Sequence, residues 1–192
     1  MRKLKITAAF AAGAASLFLT ACAGGSPTSL DAIRNEGTLA VGTEGTYRPF
    51  SFHADGVGNL TGYDVEITEA VAAKLGVEAR FGEAPWDALF AGLNAGRFAM
   101  VANQVSITPV RVDSSESSEP YTVSPGVIVV PKGDTTITSF PDLAGKTTAQ
   151  SLSSNWYELA QENGASVEAV EGWAKSVSLL EQGRVDATIN DR

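Results

Sequence analysis

From Leu39 to Ile189 the chain alternates short apolar strand patterns with helical ones, and the helical ones stop at glycines. No other feature constrains the fold as much, because strand–helix repetition builds α/β layers with largely parallel sheets. Leu39-Ala40-Val41 reads as a strand ending at Gly42. Gly56-Val57-Gly58-Asn59 reads as the tip of a hairpin. Asp64 is the expected N-cap of a helix carrying Ile67, Val71 and Leu75 at fourfold spacing, with Gly76 as its stop. Ala79-Arg80-Phe81 is the next strand. Trp86, Leu89, Phe90 and Leu93 mark a second amphipathic helix closed by Gly96, and Met100-Val101-Ala102 is a third strand.

A second series begins near residues 121–130. Val127 to Val130 is a continuous apolar run, the pattern of a strand buried on both faces. Phe140 to Leu143 is at most a short helix, and Lys146 to Gln150 is a polar strand. Asn155 with Glu158 has the spacing of a capping box for a helix that ends at Gly164. Val167 to Val170 is a strand. Trp173, Val177 and Leu180 share one helix face before Gly183, and Val185, Ala187 and Ile189 alternate on a last strand. The chain thus shows two such series, and its length without the leader fits one domain or two small lobes.

The N-terminus is organised differently. Arg2, Lys3 and Lys5 precede an apolar run from Ile6 to Leu19, which has the layout of a secretory signal and is too short for a comfortable membrane span. Leu19-Thr20-Ala21-Cys22 resembles the lipobox of bacterial lipoproteins, which implies removal of residues 1–21 and lipidation of Cys22. Residues 22–37 then read as a lipidated start and a flexible tether, with Gly24 to Thr28 as its loosest part. Cys22 is the only cysteine, so no internal disulfide is available. The formal charge is −8, and losing the three basic residues of the leader moves it to −11. That acidity argues against nucleic acid as a partner.

Enzymatic chemistry finds little support. One histidine and one cysteine leave no His/Cys metal cluster and no Cys–His pair. His53 reads as a surface residue. Gly56, Gly58 and Gly62 lack the spacing of a dinucleotide fingerprint. No cofactor is expected.

Polar loops at the carboxyl ends of the predicted strands remain, where open α/β sheets place ligands. These are Thr43 to Tyr47, Asn103 to Arg111, Ser151 to Trp156, and Asn190-Asp191. Arg111 suits a carboxylate, since its planar guanidinium donates two parallel hydrogen bonds. The helix start near Ser153–Asn155 adds backbone N–H donors for the same anion. Asp191 or Glu44 suits an ammonium group, and Tyr47 and Trp86 suit apolar walls. Each has a plainer reading as well. Arg111 lies among Asp113, Glu116 and Glu119, which suits a surface ion pair, and Trp86 has helical spacing with Leu89 and Phe90, which suits a core.

Several motifs in order resemble the family 3 solute-binding proteins of bacteria. They are Val41-Gly42-Thr43-Glu44-Gly45-Thr46-Tyr47-Arg48-Pro49-Phe50, Leu60-Thr61-Gly62-Tyr63-Asp64-Val65-Glu66, Pro85 to Asn94, Ser106 to Arg111, Gly183 to Ala187, and Asn190-Asp191. Within the family, Ala149 to Trp156, Phe52-His53, Val101 to Val105 and Val170-Glu171-Gly172 are similar to the cystine-binding branch.

The resemblance implies a two-lobed periplasmic-binding-protein fold (type II, Venus-flytrap), with lobe 1 over 38–124 and lobe 2 over 125–192. It also implies a longer chain, so a C-terminally truncated second lobe is expected here. It implies an extracytoplasmic, membrane-anchored monomer that captures an amino acid, cystine or a related polar one, for an ABC permease, and no catalysis. Carried over by motif, Arg111 takes the ligand carboxylate and Asp191 its ammonium. Tyr47 and Trp86 flank the side chain, and Asn103, Gln104, Ser106, Ser153, Ser154 and Asn155 add hydrogen bonds. A ligand-sensing ectodomain and an exported dehydratase of the same fold, with Glu44 as its acid, are the alternatives.

Overall fold

The structure is a computed structural model that describes residues 28–192. The expected signal peptide, the lipidation site at Cys22 and the first part of the tether lie outside the described residues. The rest of the tether needs correcting, because Leu30–Glu36 form a helix, α1. Ser29 caps it by accepting from the Ala32 N–H, Gly37 ends it at a φ of 73°, and Ile33 buries one face in the core. A seven-residue helix is marginal alone, so its stability comes from that tertiary contact, which local composition does not reveal.

The elements that follow are β1 (Thr38–Thr43), β2 (Thr46–Tyr47), β3 (Ser51–His53), β4 (Leu60–Thr61), α2 (Tyr63–Leu75), β5 (Glu78–Glu83), α3 (Trp86–Asn94), β6 (Met100–Val101) and α4 (Pro109–Val112). A parallel sheet in the order β5-β1-β6 forms the centre of the first lobe, and β2-β3-β4 forms an antiparallel meander beside it. Leu39 and Val41 on one face of β1 pack with Ile33 and Ala72. The other face turns toward Phe98, Leu89 and Trp86.

β1 runs through Gly42 instead of ending there, because its parallel pairing continues through Gly42–Gly82 and Thr43–Glu83. A β-carbon on Gly42, Gly82 or Gly92 would lie 2.6, 2.6 or 2.5 Å from the Phe98 ring. The three bare positions form the slot that holds the ring. Gly42 therefore serves a long-range contact rather than a turn.

The expected N-cap of α2 is also corrected. Gly62 holds that position, and the Asp64 side chain turns inward, where it is 1% exposed. It accepts hydrogen bonds from the Gln104 N–H, the Gln104 amide and the Tyr121 hydroxyl. At the other end Gly76 stops the helix as expected, at a φ of 76°.

The second lobe contains β7 (Gly126–Val129), a 3-10 turn over Phe140–Leu143, β8 (Thr147–Gln150), α5 (Asn155–Glu162), β9 (Ser166–Ala169), α6 (Trp173–Glu181) and β10 (Thr188–Asp191). β8 and β9 are parallel, β10 and β7 antiparallel, and a bridge between Thr148 and Ala187 joins the pairs in the order β9-β8-β10-β7. Ile137, Leu143, Ala160, Ala187 and Ile189 form one core, and Ala149, Val170, Leu179, Leu180 and Val185 another.

Two local expectations change here. β7 is half-buried along its length rather than buried on both faces, and among the described residues it pairs only with β10. Ser154, not Asn155, caps α5, with its Oγ 3.1 Å from the Tyr157 N–H. Among the described residues no helix is long and apolar enough to cross a membrane, and no group of His, Cys, Asp and Glu could hold a metal ion.

Candidate functional site

A cleft with about 440 Å³ of empty space, counting its open side, runs between the two lobes. Its walls are the carboxyl ends of β1, β6, β8 and β10 and the first turns of α3, α5 and α6. Nine of the eleven ligand-binding candidates line it: Glu44, Tyr47, Trp86, Asn103, Gln104, Ser106, Ser154, Asn155 and Asp191. Arg111 and Ser153 are outside its lining; Arg111 borders the open hollow beside it, and both make hydrogen bonds across the gap. Sequence reasoning passed over Gln150, Trp173 and Ser176, which also line it, although Gln150 ends β8 and so obeys the same strand-end rule.

On the first-lobe wall the polar groups hold one another. Asn103 is 1% exposed. Its Oδ1 accepts from Thr43 Oγ1 at 3.0 Å, the Glu44 N–H at 2.9 Å and Ser51 Oγ at 3.2 Å, while its amide donates to Glu44 Oε2 at 2.7 Å. Glu44 is thereby fixed with Oε1 against the bare Cα of Gly172 from the second lobe. Gly172 has a φ of 81°, and a β-carbon there would collide with that carboxylate. Burial raises the Glu44 carboxyl above its ordinary range, Asp87 adds to the shift, and the Asn103 hydrogen bond opposes it.

Gln104 has a φ of 49°, unusual for a residue with a side chain. The Asp64 carboxylate secures this conformation by accepting from both its backbone and its amide. Burial pushes the Asp64 carboxyl up as well, while hydrogen bonds from Gln104 and Tyr121 pull it down.

Contacts between the lobes come from both walls. The Tyr47 hydroxyl donates to Asn190 Oδ1 at 3.0 Å. Burial and the neighbouring Asp191 keep that phenol protonated. Burial likewise raises the Asp191 carboxyl, and Tyr47 lowers it. Ser153 donates its N–H and hydroxyl to Asp87 at the start of α3, at 2.9 and 2.6 Å.

Arg111 is held on α4, whose N-cap is Thr108. Its guanidinium donates to Ser106 O at 2.9 Å in its own lobe, and across the cleft to Asn155 Oδ1 at 3.3 Å and Ser153 O at 3.2 Å. The same group lies over the rings of Trp86 and Phe90 at 5.2 and 5.5 Å, within cation–π range. No ion pair forms between Arg111 and Asp113, Glu116 or Glu119 among the described residues, so the surface-pair reading gives way to a bridge between lobes. Burial lowers the guanidinium pKa, and Glu158 counters it.

His53 lies apart from the cleft lining. It contacts Gly58 O at 2.8 Å and Glu83 at 3.1 Å, tying the hairpin to β5.

Such a cleft can close on a small dipolar molecule. It offers two carboxylates in its lining, aromatic walls and a guanidinium that reaches across to Asn155, and no group of His, Cys, Asp and Glu among the described residues could hold a metal ion.

Residues 39–162 match the sequence profile of the bacterial extracellular solute-binding proteins, family 3. The chain is 46% identical over 192 residues to the "Probable amino-acid ABC transporter-binding protein" of Haemophilus influenzae, covering all of this chain and 73% of that protein. It is 50% identical over 160 residues to the "L-cystine-binding protein TcyA" of Bacillus subtilis, covering 83% of this chain and 59% of TcyA. Among solved structures it is similar to the ancestral amino acid-binding protein AncCDT-1, described as a precursor of cyclohexadienyl dehydratase. The TM-score is 0.79 at 34% identity, over 84% of this chain and 73% of that one. On the profile match and the shared two-lobed α/β architecture, the chain belongs to the bacterial extracellular solute-binding proteins of family 3, and the relatives it is similar to are substrate-binding proteins rather than enzymes.

Proposed function

We propose that this protein is the substrate-binding component of an amino-acid ABC importer, and that it captures L-cystine or a related polar amino acid outside the cytoplasm. The observation that carries the reading is the inter-lobe cleft, with carboxylates from both walls and an arginine beside it that bridges the lobes. That arrangement suits a zwitterion. Arg111 takes the α-carboxylate, exchanging its contacts with Asn155 and Ser153 for the ligand, and Asp191 takes the ammonium. Tyr47 and Trp86 flank the side chain. Gln104, Ser106, Ser154 and Asn155 supply hydrogen bonds, Ser153 secures closure, and Asn103 acts mainly through Glu44. The similarity to TcyA, at 50% identity, favours cystine over other amino acids.

Residues 38–124 and 125–192 act in this reading as jaws hinged near the segment between them. Hinge closure buries the ligand, and the closed form docks on the permease. The protein works as a monomer, tethered through a lipid on Cys22 after loss of residues 1–21.

Titration calorimetry of the full-length protein against L-cystine and the common amino acids tests the central statement. A saturable one-to-one heat is expected, strongest for cystine. No heat with any amino acid would sink it. Mass spectrometry of the membrane-extracted protein tests the anchor, with a diacylglycerol-sized increment on Cys22 expected.

A further inference from the structure

The segment that joins the lobes is tied down on both sides of a single residue. On the first-lobe side the Tyr121 hydroxyl donates to Asp64 Oδ1 at 3.0 Å, and the Thr122 hydroxyl donates to Gln104 Oε1 at 2.8 Å. On the second-lobe side Ser124 Oγ and Pro125 O both accept from the Arg192 N–H, at 2.8 and 3.2 Å. Val123 between them is 94% exposed and makes no hydrogen bond among the described residues.

The first-lobe tie is built on a buried charge. Asp64 has no ion-pair partner among the described residues. Three donors reach its carboxylate instead: the Tyr121 hydroxyl, the Gln104 N–H and the Gln104 amide. Burying a carboxylate without a cation is costly, and hydrogen bonds of this kind offset the cost. Gln104 lines the cleft, whereas Asp64, Tyr121 and Thr122 do not. The four residues thus form a closed loop of bonds that runs from the cleft wall to the joining segment. Tyr63 adds to it, its hydroxyl donating to Tyr121 O at 3.3 Å.

We propose that Asp64 is a positioning residue for lobe closure. It holds Gln104 and the Tyr121–Thr122 stretch as one rigid unit, which confines rotation to Val123. Without that unit the joining segment would bend at several positions, and closure would have to order them all. The open state would gain freedom that the closed state lacks, so the ligand would leave sooner. This rests on the amino-acid capture reading above and adds the element that links the cleft to the hinge.

The test follows release of L-cystine from the full-length protein by stopped flow. Trp86, Trp156 and Trp173 line the cleft, so intrinsic fluorescence reports occupancy. Tyr121→Phe and Thr122→Val each remove one hydroxyl tie. Release is expected to be about tenfold faster in Y121F, which loses a bond to a charged group, and about threefold faster in T122V. Association should stay within about twofold. Asp64→Asn should speed release at least as much, and adding Tyr121→Phe to it should change release by less than about twofold more. Thr68→Val is the control, because it removes a buried hydroxyl bond to Asp64 O that does not reach the joining segment. It should lower stability in urea and leave release unchanged. Unchanged release in either single tie variant, additive effects in the double one, or equal acceleration in T68V would overturn the role of Asp64 and leave amino-acid capture standing. No response of the unsubstituted protein to L-cystine would overturn both. Thr122→Val decides the matter alone if the other variants fail to fold.

Discussion

On the first-lobe wall of the cleft, Asn103 and Asp64 each gather several donors from their own lobe, so Glu44 and Gln104 are held in place before the lobes meet. On the second-lobe wall, Ser151 and Ser154 are held within their own lobe, but Ser153 and Asn155 find side-chain partners across the gap. The first wall is organised mainly from within, and the second draws part of its hydrogen bonding from the facing lobe. Pre-organisation lowers the ordering cost of binding. A ligand is therefore expected to settle on the first lobe and recruit the second, with the inter-lobe contacts setting how long it stays.

The largest expected effect tests the pre-organised wall. Asn103→Ala leaves Thr43, Ser51 and Glu44 without their shared partner in a buried setting, so unfolding in urea should show a loss of about 3 kcal/mol. A loss under about 1 kcal/mol would mean that the wall does not depend on this network.

Next in size is Arg111→Ala. In the proposed binding mode, removing the cation leaves the ligand carboxylate without a charged partner in a partly buried site, and affinity should fall about 100-fold by calorimetry. Unchanged affinity would refute the assignment of Arg111.

Asp87→Ala removes an inter-lobe contact without touching the cleft lining. Affinity should weaken by about tenfold, almost wholly through faster dissociation in stopped-flow measurements. A slower association rate instead would place Asp87 in the encounter step and blur the contrast between the walls.

The smallest effect is that of pH. Burial raises the Glu44 and Asp191 carboxyls above their ordinary values of 4.5 and 3.8. In the ligand-free protein this favours the protonated forms, so the stability they contribute is fully present below those ordinary values. It is lost as pH rises through the raised ones. Binding runs the other way, because an ammonium pairs with the ionised carboxylate. In the proposed complex, affinity should drop as pH falls toward the raised carboxyl values, with proton release on binding detectable by calorimetry in two buffers.

Much of the fold was legible because its punctuation is local. Gly76 carries its stop signal in its own backbone freedom, and the strand-end rule located the loops whose residues line the cleft. What remained hidden depends on distant partners. Asp64 has the residue type of an N-cap, but Gln104 and Tyr121 recruit its carboxylate from 40 and 57 residues away. Gly42 has the residue type of a strand end, yet it is there to admit Phe98. Ser154 and Asn155 are adjacent capping residues, and choosing between them takes the backbone geometry. Gln150 looked like an ordinary polar strand residue, because a buried amide Nε2 without a partner among the described residues becomes visible only once every other bond has been assigned.

The bare backbone of Gly172 against Glu44 has a practical outcome. Any side chain grafted there would act as a wedge in the jaws, holding them ajar even with cargo aboard. Such a doorstop variant would let the resting conformation be trapped and studied, and it would make a loaded but undeliverable decoy for the transporter.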